Sequence, residues 1–224
     1  MLEPNQLLSE VLTFWDKLSP GEQEMLVDSI ITRYYRQGEN IHGGENDCVG
    51  VIIVKSGGLR TYILSEDGRE ITLYRLFSGD ICILSASCAI NSITFDVHID
   101  AEMDSELLVI NNAVFAKLAE GNIYVENFSL KEAANRFSDV MWTVEQILFM
   151  SFDKRLARFL LDEASRTKSD SIPLTHDQIA RYIGSAREVV SRMLRYFVGE
   201  GLVEQYRGGV KIIDKKRLLL SADL

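Results

Sequence analysis

Residues 174 to 213 place two helix starts, a glycine and a short hairpin in an order that few folds can accommodate. Thr175 precedes Gln178 and Ser185 precedes Glu188, each pair at the spacing of a capping box, in which side chain and backbone of a helix's first turn satisfy one another. Gly184 forms the turn between the two predicted helices. In the second, Val190, Met193, Leu194 and Phe197 recur at i, i+3, i+4 and i+7 and predict a buried stripe, faced by Ile179, Ala180 and Ile183 of the first. The opposite face carries Arg187, Glu188, Ser191, Arg192 and Arg195. A polar second helix behind a glycine turn is how a helix is laid in the major groove of DNA.

A charged stripe opposite an apolar one also describes any solvated helix, so the flanking segments decide. Leu202 to Tyr206 and Val210 to Ile213 are two short β-prone runs joined by Arg207-Gly208-Gly209, a hairpin of the kind that forms the wing of a winged helix. Arg207 and Lys211 of that wing, with Thr175, His176 and Arg195, are expected at phosphates, which position a reading helix without specifying sequence. Charge agrees. From Ser151 onward there are 14 Lys and Arg against 10 Asp and Glu, a net of +4, whereas residues 1 to 150 carry a net of −13. The whole chain at −9 argues against nucleic acid, and the asymmetry between its parts argues for it.

The 224 residues, 46% of them hydrophobic, suit two small domains better than one. No stretch approaches the ~20 apolar residues needed to cross a bilayer, and the N-terminus lacks the basic region of a signal peptide, so a cytoplasmic location without membrane contact is expected. Residues 7 to 31 read as helical, with Leu7, Leu8, Val11, Leu12 and Trp15 in one stripe and a fresh start capped by Ser19. From Tyr34 to Ile110, glycine-bearing turns separate short Val, Ile, Leu and Tyr runs about every 8 to 12 residues, the spacing of an antiparallel β-sandwich or jelly roll. Ser65 to Glu70 is its clearest hairpin. A short helix over 112 to 119 precedes a long one over about 122 to 150. Along the long helix Leu130, Ala133, Phe137, Val140, Val144 and Ile147 predict a coiled-coil seam, and Ala134, Met141 and Leu148 a second apolar row. One side would meet the chain's own β-domain and the other a second subunit.

The order of Gly38-Glu39, Gly44-Glu45, Gly57, Asp67 to Glu70 and Gly79-Asp80, followed by a long helix, Arg155-Leu156-Ala157 and Gly184 to Arg192, resembles the Crp/Fnr superfamily of bacterial transcription regulators. The resemblance spans nearly the whole chain. It implies an α+β fold: an N-terminal antiparallel β-roll (jelly roll) with flanking helices over 1 to 120, a long dimerisation helix over 121 to 150, and a C-terminal winged helix-turn-helix over 151 to 224. It further implies a homodimer on palindromic double-stranded DNA with TGA-containing half-sites, and RNA polymerase as a partner. Carried over by position, Arg187, Glu188 and Arg192 match the base-contacting residues of the cyclic-AMP-responsive branch, and Glu188, Ser191 and Arg192 those of the oxygen-sensing branch. The chemistry agrees, since Arg pairs with guanine and Glu accepts from cytosine.

The same resemblance places an effector pocket at Gly79, Asp80, Cys82, Ser85, Ser87 and Cys88. Its cargo is a small-molecule or redox effector of unknown identity. Cyclic-nucleotide binders supply an Arg to the phosphate after Gly79-Asp80, yet no Arg stands between Arg75 and Arg136, and Phe95 falls near that place, which disfavours cyclic AMP. A Fnr-type iron–sulfur cluster needs thiolates near the N-terminus, and none precedes Cys48. His42, His98, Cys82 and Cys88 are the candidate haem ligands, with His98 expected on the outer face of its strand beside Asp96 and Asp100. Cys82 and Cys88 read more simply as buried small hydrophobes than as a sensing pair. No catalytic or metal site is expected, because three histidines without ligand spacing do not build one. The competing reading is a cyclic-nucleotide, haem or thiol sensor module whose main role is not DNA binding.

Overall fold

A computed structural model describes residues 4–43, 49–83 and 97–222, and the chain divides into two compact units, residues 1–63 with 73–141 and residues 64–72 with 142–224. The N-terminal segment is two helices, α1 (Pro4–Val11) and α2 (Pro20–Asp28), joined through a single 3-10 turn. Ser19 and Glu22 close the predicted capping box of α2, with Pro20 in its first turn. The helical reading ran too far, because β1 (Ile30–Tyr35) begins directly after α2. Its Ile and Tyr residues pair with a neighbouring strand, and that tertiary pairing overrides local periodicity.

Strands β2 (Asn40–Gly43), β3 (Val51–Ser56), β4 (Gly58–Leu64), β5 (Glu70–Phe77), β6 (Ile81–Cys82), β7 (His98–Ala101) and β8 (Ser105–Ile110) complete the roll. Among the described residues the strands of the roll form two four-stranded sheets, ordered β1-β8-β3-β6 and β2-β7-β4-β5. Alternate residues of β3 face different layers. Val51 and Ile53 pack with Leu7, Leu8 and Leu12 of the helical layer, whereas Ile52 and Val54 join Leu59, Leu76 and Ile99 between the sheets. β8 divides the same way, with Leu108 and Ile110 on one side and Leu107 and Val109 on the other. Strands buried on both faces require unbroken apolar runs, which is how 51–54 and 107–110 read.

Helix α3 (Asn112–Gly121) is capped by Asn111, whose side chain accepts from Ala113 N and Val114 N. Helix α4 (Ile123–Phe149) follows at once. Its own chain buries Val125 and Phe128, and Ala133 and Val140 pack partly against the roll. Leu130, Ala134, Phe137, Met141, Val144 and Leu148 are exposed, Phe137 by 68%. The two apolar rows are therefore apportioned differently from the sequence reading: Ala133 and Val140 leave the predicted seam for the chain's own core, and Ala134, Met141 and Leu148 join the open one. Periodicity locates apolar stripes but does not say which the parent fold covers. Among the described residues no helix is long and apolar enough to cross a membrane.

The second unit contains α5 (Phe152–Thr167), β9 (Ser171–Ile172), α6 (His176–Ile183), α7 (Arg187–Gly199), β10 (Val203–Tyr206), β11 (Gly209–Ile212) and α8 (Lys215–Ser221). Leu156, Leu160, Ile179, Val190, Leu194 and Phe197 make its core, each at most 1% exposed. The predicted hairpin is present, with Val203 opposite Ile212 and Tyr206 opposite Gly209, and β9 adds a third strand that the sequence reading missed. Gly209 has no room for a side chain, because a Cβ there would collide with the Tyr206 ring and the Ile172 carbonyl.

The two expected capping boxes differ in outcome. Thr175 forms its box with Gln178, but α7 starts at Arg187 behind Ala186, with no side-chain cap. The Ser185 N–H that a second box requires is already donated to Ala180 O at 2.9 Å, closing the end of α6. Replacing Thr175 with Ala should lower unfolding free energy by about 1 kcal/mol, while Ser185→Ala should change it by only a few tenths. Urea denaturation of the two variants side by side checks this.

Candidate nucleic-acid interface

The turn between α6 and α7 is held from several directions. Gly184 adopts φ +61°, ψ +53°, the left-handed conformation that glycine takes without steric cost. Carbonyls in the last turn of α6 find donors outside the helix: Thr72 Oγ1 donates to Arg181 O at 3.0 Å, and Arg155 Nη1 to Ile183 O at 3.0 Å. Burial holds the Arg155 guanidinium below its ordinary pKa range, and its cation also lies over the Phe152 ring. Thr72 and Ile71 belong to the tip of the β4–β5 hairpin, and Ile71 would touch a Cβ at position 184.

With the turn held, α7 is amphipathic in the predicted sense. Val190, Leu194 and Phe197 are fully buried and Met193 is half-buried. Arg187, Glu188, Arg192 and Arg195 are exposed, and Ser191 is partly so. Since Ser185 takes no capping role, the Glu188 carboxylate is not engaged in a box. Arg187 Nε stands 3.6 Å from Asp177 Oδ2, with both groups more than half exposed, so water screens the pair and a phosphate or base could replace it. Arg195 Nε donates to Ser191 O at 3.4 Å. Thr175 is exposed but committed to its cap, and His176 is half-buried at N1 of α6. Arg207 and Lys211 are exposed on the wing, on its turn and on β11 respectively.

Of the predicted effector residues, Ser85, Ser87 and Cys88 lie outside the described residues, as do Cys48, Phe95 and Asp96. Gly79 is exposed, and one Asp80 oxygen accepts from Phe77 N at 2.7 Å, so that carboxylate caps a turn. Cys82 is wholly buried between the sheets. His42 is buried on β2, and His98 is half-exposed and stacked on Tyr62 at 5.3 Å. The buried Arg60 is engaged by that same Tyr62 ring, 4.0 Å away, and by Asp100 at 3.6 Å.

A polar cluster that the sequence reading missed lies beside Cys82. The Tyr74 phenol adjoins Thr61 and Cys82, and burial first, then the Cys82 sulfur, pushes its pKa well above the usual range, so it stays protonated. Arg136 of α4 lies 5.1 Å over the Tyr74 ring, its guanidinium held by Asp139 at 2.8 Å and Glu132 at 3.7 Å. Tyr74 Oη, Thr61 Oγ1 and Arg136 Nε are buried without completing a hydrogen bond among the described residues. The available sequence signal was the position of Arg136, three residues after Ala133 and four before Val140, on the face those two turn to the chain's own core.

Two family models match: a cyclic nucleotide-binding domain over residues 32–122 and a Crp-like helix-turn-helix domain over 154–220. A solved structure from Eubacterium rectale, described as a transcriptional regulator of the Crp/Fnr family, is 46% identical over 96% of this chain and 99% of its own, with a TM-score of 0.92. Electron transport regulator A of Shewanella oneidensis is 26% identical over 92% of this chain and 84% of its own. The cAMP-activated global regulator Vfr of Pseudomonas aeruginosa is 25% identical over 76% and 83%. With its roll, its helix-turn-helix and its wing in this order, the chain belongs to the Crp/Fnr family of transcription regulators.

Proposed function

We propose that α7 reads base edges through Arg187, Glu188, Ser191 and Arg192, while Thr175, His176, Arg195, Arg207 and Lys211 meet phosphates. The observation that carries this is the open Arg187-Glu188-Ser191-Arg192 face of α7, set opposite a stripe too deeply buried to turn outward. The chain acts as a cytoplasmic homodimer, paired along the exposed stripe of α4, on a palindromic operator with TGA-type half-sites, and RNA polymerase is the further partner that family membership implies. In this reading residues 1–120 sense the effector, 121–150 dimerise and 151–224 bind DNA.

Operator selection from a random duplex pool tests the whole reading, with recovery of a two-fold TGA-containing site as the expected result. At the selected site, Arg192→Ala should lose about 1 to 3 kcal/mol of discrimination for its guanine. Unchanged discrimination there would sink the assignment. Arg207→Ala and Lys211→Ala should instead weaken binding to all sequences alike and lower the slope of log K against log salt by about 1 each. A salt titration of both variants measures it.

The effector binds within the roll, near the polar groups of Thr61, Tyr74 and Cys82 and the turn at Gly79 and Asp80. Ser85, Ser87 and Cys88 complete the segment that the family uses for this purpose. A small molecule suits this setting better than thiol redox chemistry, because Cys82 is packed out of contact with solvent. A cyclic nucleotide suits it poorly. No Arg occurs from residue 76 to 135 to meet its phosphate, and the Asp80 carboxylate is drawn into a turn. Titration calorimetry with cyclic AMP should show no binding at micromolar concentrations, and a micromolar Kd would overturn this part of the reading.

A further inference from the structure

Helix α4 carries a heptad more regular than its apolar rows alone suggest. Ile123, Asn127, Leu130, Ala134, Phe137 and Met141 follow one another at spacings of 4, 3, 4, 3 and 4, and Val144 and Leu148 continue the series. All are exposed, whereas Val125 and Phe128 on the other side of the helix are buried in the chain's own core. The spacing makes Ile123, Leu130, Phe137 and Val144 the d positions and Asn127, Ala134, Met141 and Leu148 the a positions of a two-stranded seam. Asn127 is the one polar residue in the series.

The flanks of the seam add a second observation. Glu126 then holds a g position and Lys131 the e position of the following heptad, and both are exposed. Five residues apart, the two lie on opposite sides of the stripe and do not meet within one helix. Neither has an ion-pair partner among the described residues. The later g positions are Ala133, Val140 and Ile147, and the later e positions are Ser138 and Glu145, so Glu126 and Lys131 form the only oppositely charged g-to-e combination the helix offers.

We propose that Glu126, Asn127 and Lys131 form a register lock for parallel, in-register pairing of α4 with a second copy of this chain. Asn127 faces its counterpart across the seam, and Glu126 of each copy faces Lys131 of the partner subunit. Only this alignment satisfies all three residues. A shift by one heptad sets Asn127 against Ala134 and Glu126 against Ser138 or Tyr124. An antiparallel pairing sets each a residue against a d residue, leaving the Asn127 amide buried against an apolar side chain and desolvated without a partner. A polar a residue of this kind lowers stability but admits one register, and g–e charge pairs select the partner. The proposal rests on the homodimer reading above and adds the residues of this chain that fix its register.

The full-length chain provides the test. Glu126→Lys and Lys131→Glu chains carrying different tags are co-expressed, and dimer composition is read by native mass spectrometry. Each variant alone brings like charges together at both symmetric positions, so its self-pairing should weaken roughly tenfold. The mixture restores both pairs, and heterodimer should far exceed the half expected from random pairing, as given by tagged wild-type chains. The double variant E126K/K131E should pair with itself like the wild type, which separates charge pairing from any folding defect in a single variant. By sedimentation equilibrium, Asn127→Leu should associate more tightly and form species beyond the dimer. A heterodimer fraction of one half, with wild type dimeric, overturns the charge lock and leaves the homodimer standing. An unchanged single dimer for Asn127→Leu overturns the asparagine's part. A wild-type chain that stays monomeric overturns the lock and the homodimer together.

Discussion

The direction of α7, the second helix of the helix-turn-helix, depends on the left-handed turn at Gly184. A residue with a Cβ in that conformation would carry about 1 to 2 kcal/mol of strain, and the turn must also dispose of carbonyls that the end of α6 cannot satisfy internally. Ser185 N–H, the Thr72 hydroxyl and the Arg155 guanidinium meet those carbonyls from three segments. The direction of α7 is thus set by the turn and by the buried Val190, Leu194 and Phe197 stripe together. Its arginines are left to the surface, where Arg187 and Arg195 make only solvent-exposed contacts with Asp177 and Ser191 O. Thr72 and Ile71, which meet the turn through a hydrogen bond and a van der Waals contact, sit near the tip of a hairpin whose strands run back along the chain to Thr61 and Tyr74.

The roll shows the opposite economy. β3 and β8 are buried on both faces, so their apolar runs serve two cores at once. Thr61 Oγ1, Tyr74 Oη and Arg136 Nε, the last on a guanidinium whose other nitrogens are held by Asp139 and Glu132, are costly inside such packing, on the order of 1 to 3 kcal/mol for each buried atom left without a hydrogen bond. Cores that keep such groups commonly reserve them for something else to meet. Arg60, by contrast, is absorbed into contacts with Tyr62 and Asp100 and is a structural cation.

Helix α4 divides its surface between two tasks with little overlap. Val125 and Phe128 anchor it to its own unit, and Arg136 turns toward Tyr74. The stripe from Ile123 to Met141 stays exposed. A contiguous apolar stripe of this length on a helix is rarely left to water, and its regular 3,4 spacing fits a partner of the same geometry.

Much of this was legible without coordinates. The capping residues Ser19 and Thr175, the hairpin at Ser65 to Glu70, the wing and the buried stripe of α7 are written in local chemistry, because caps, turns and helix periodicity depend on neighbours within a few residues in the chain. The reading failed where neighbours distant in sequence decided. Ile30 and Ile31 became strand because β8 offered hydrogen bonds, and Ser185 lost its box because its N–H was claimed by Ala180. Arg136 and Tyr74, 62 positions apart, could not be seen to meet. By itself the amino-acid sequence determined the order of elements, the residue types on the polar face of α7 and the segregation of charge between the two parts, all properties of short-range pattern. Only the tertiary structure decided which apolar row of α4 stays open, which polar groups lie buried together in the roll and which donors hold the turn, because each of these depends on what long-range packing covers and what it leaves exposed.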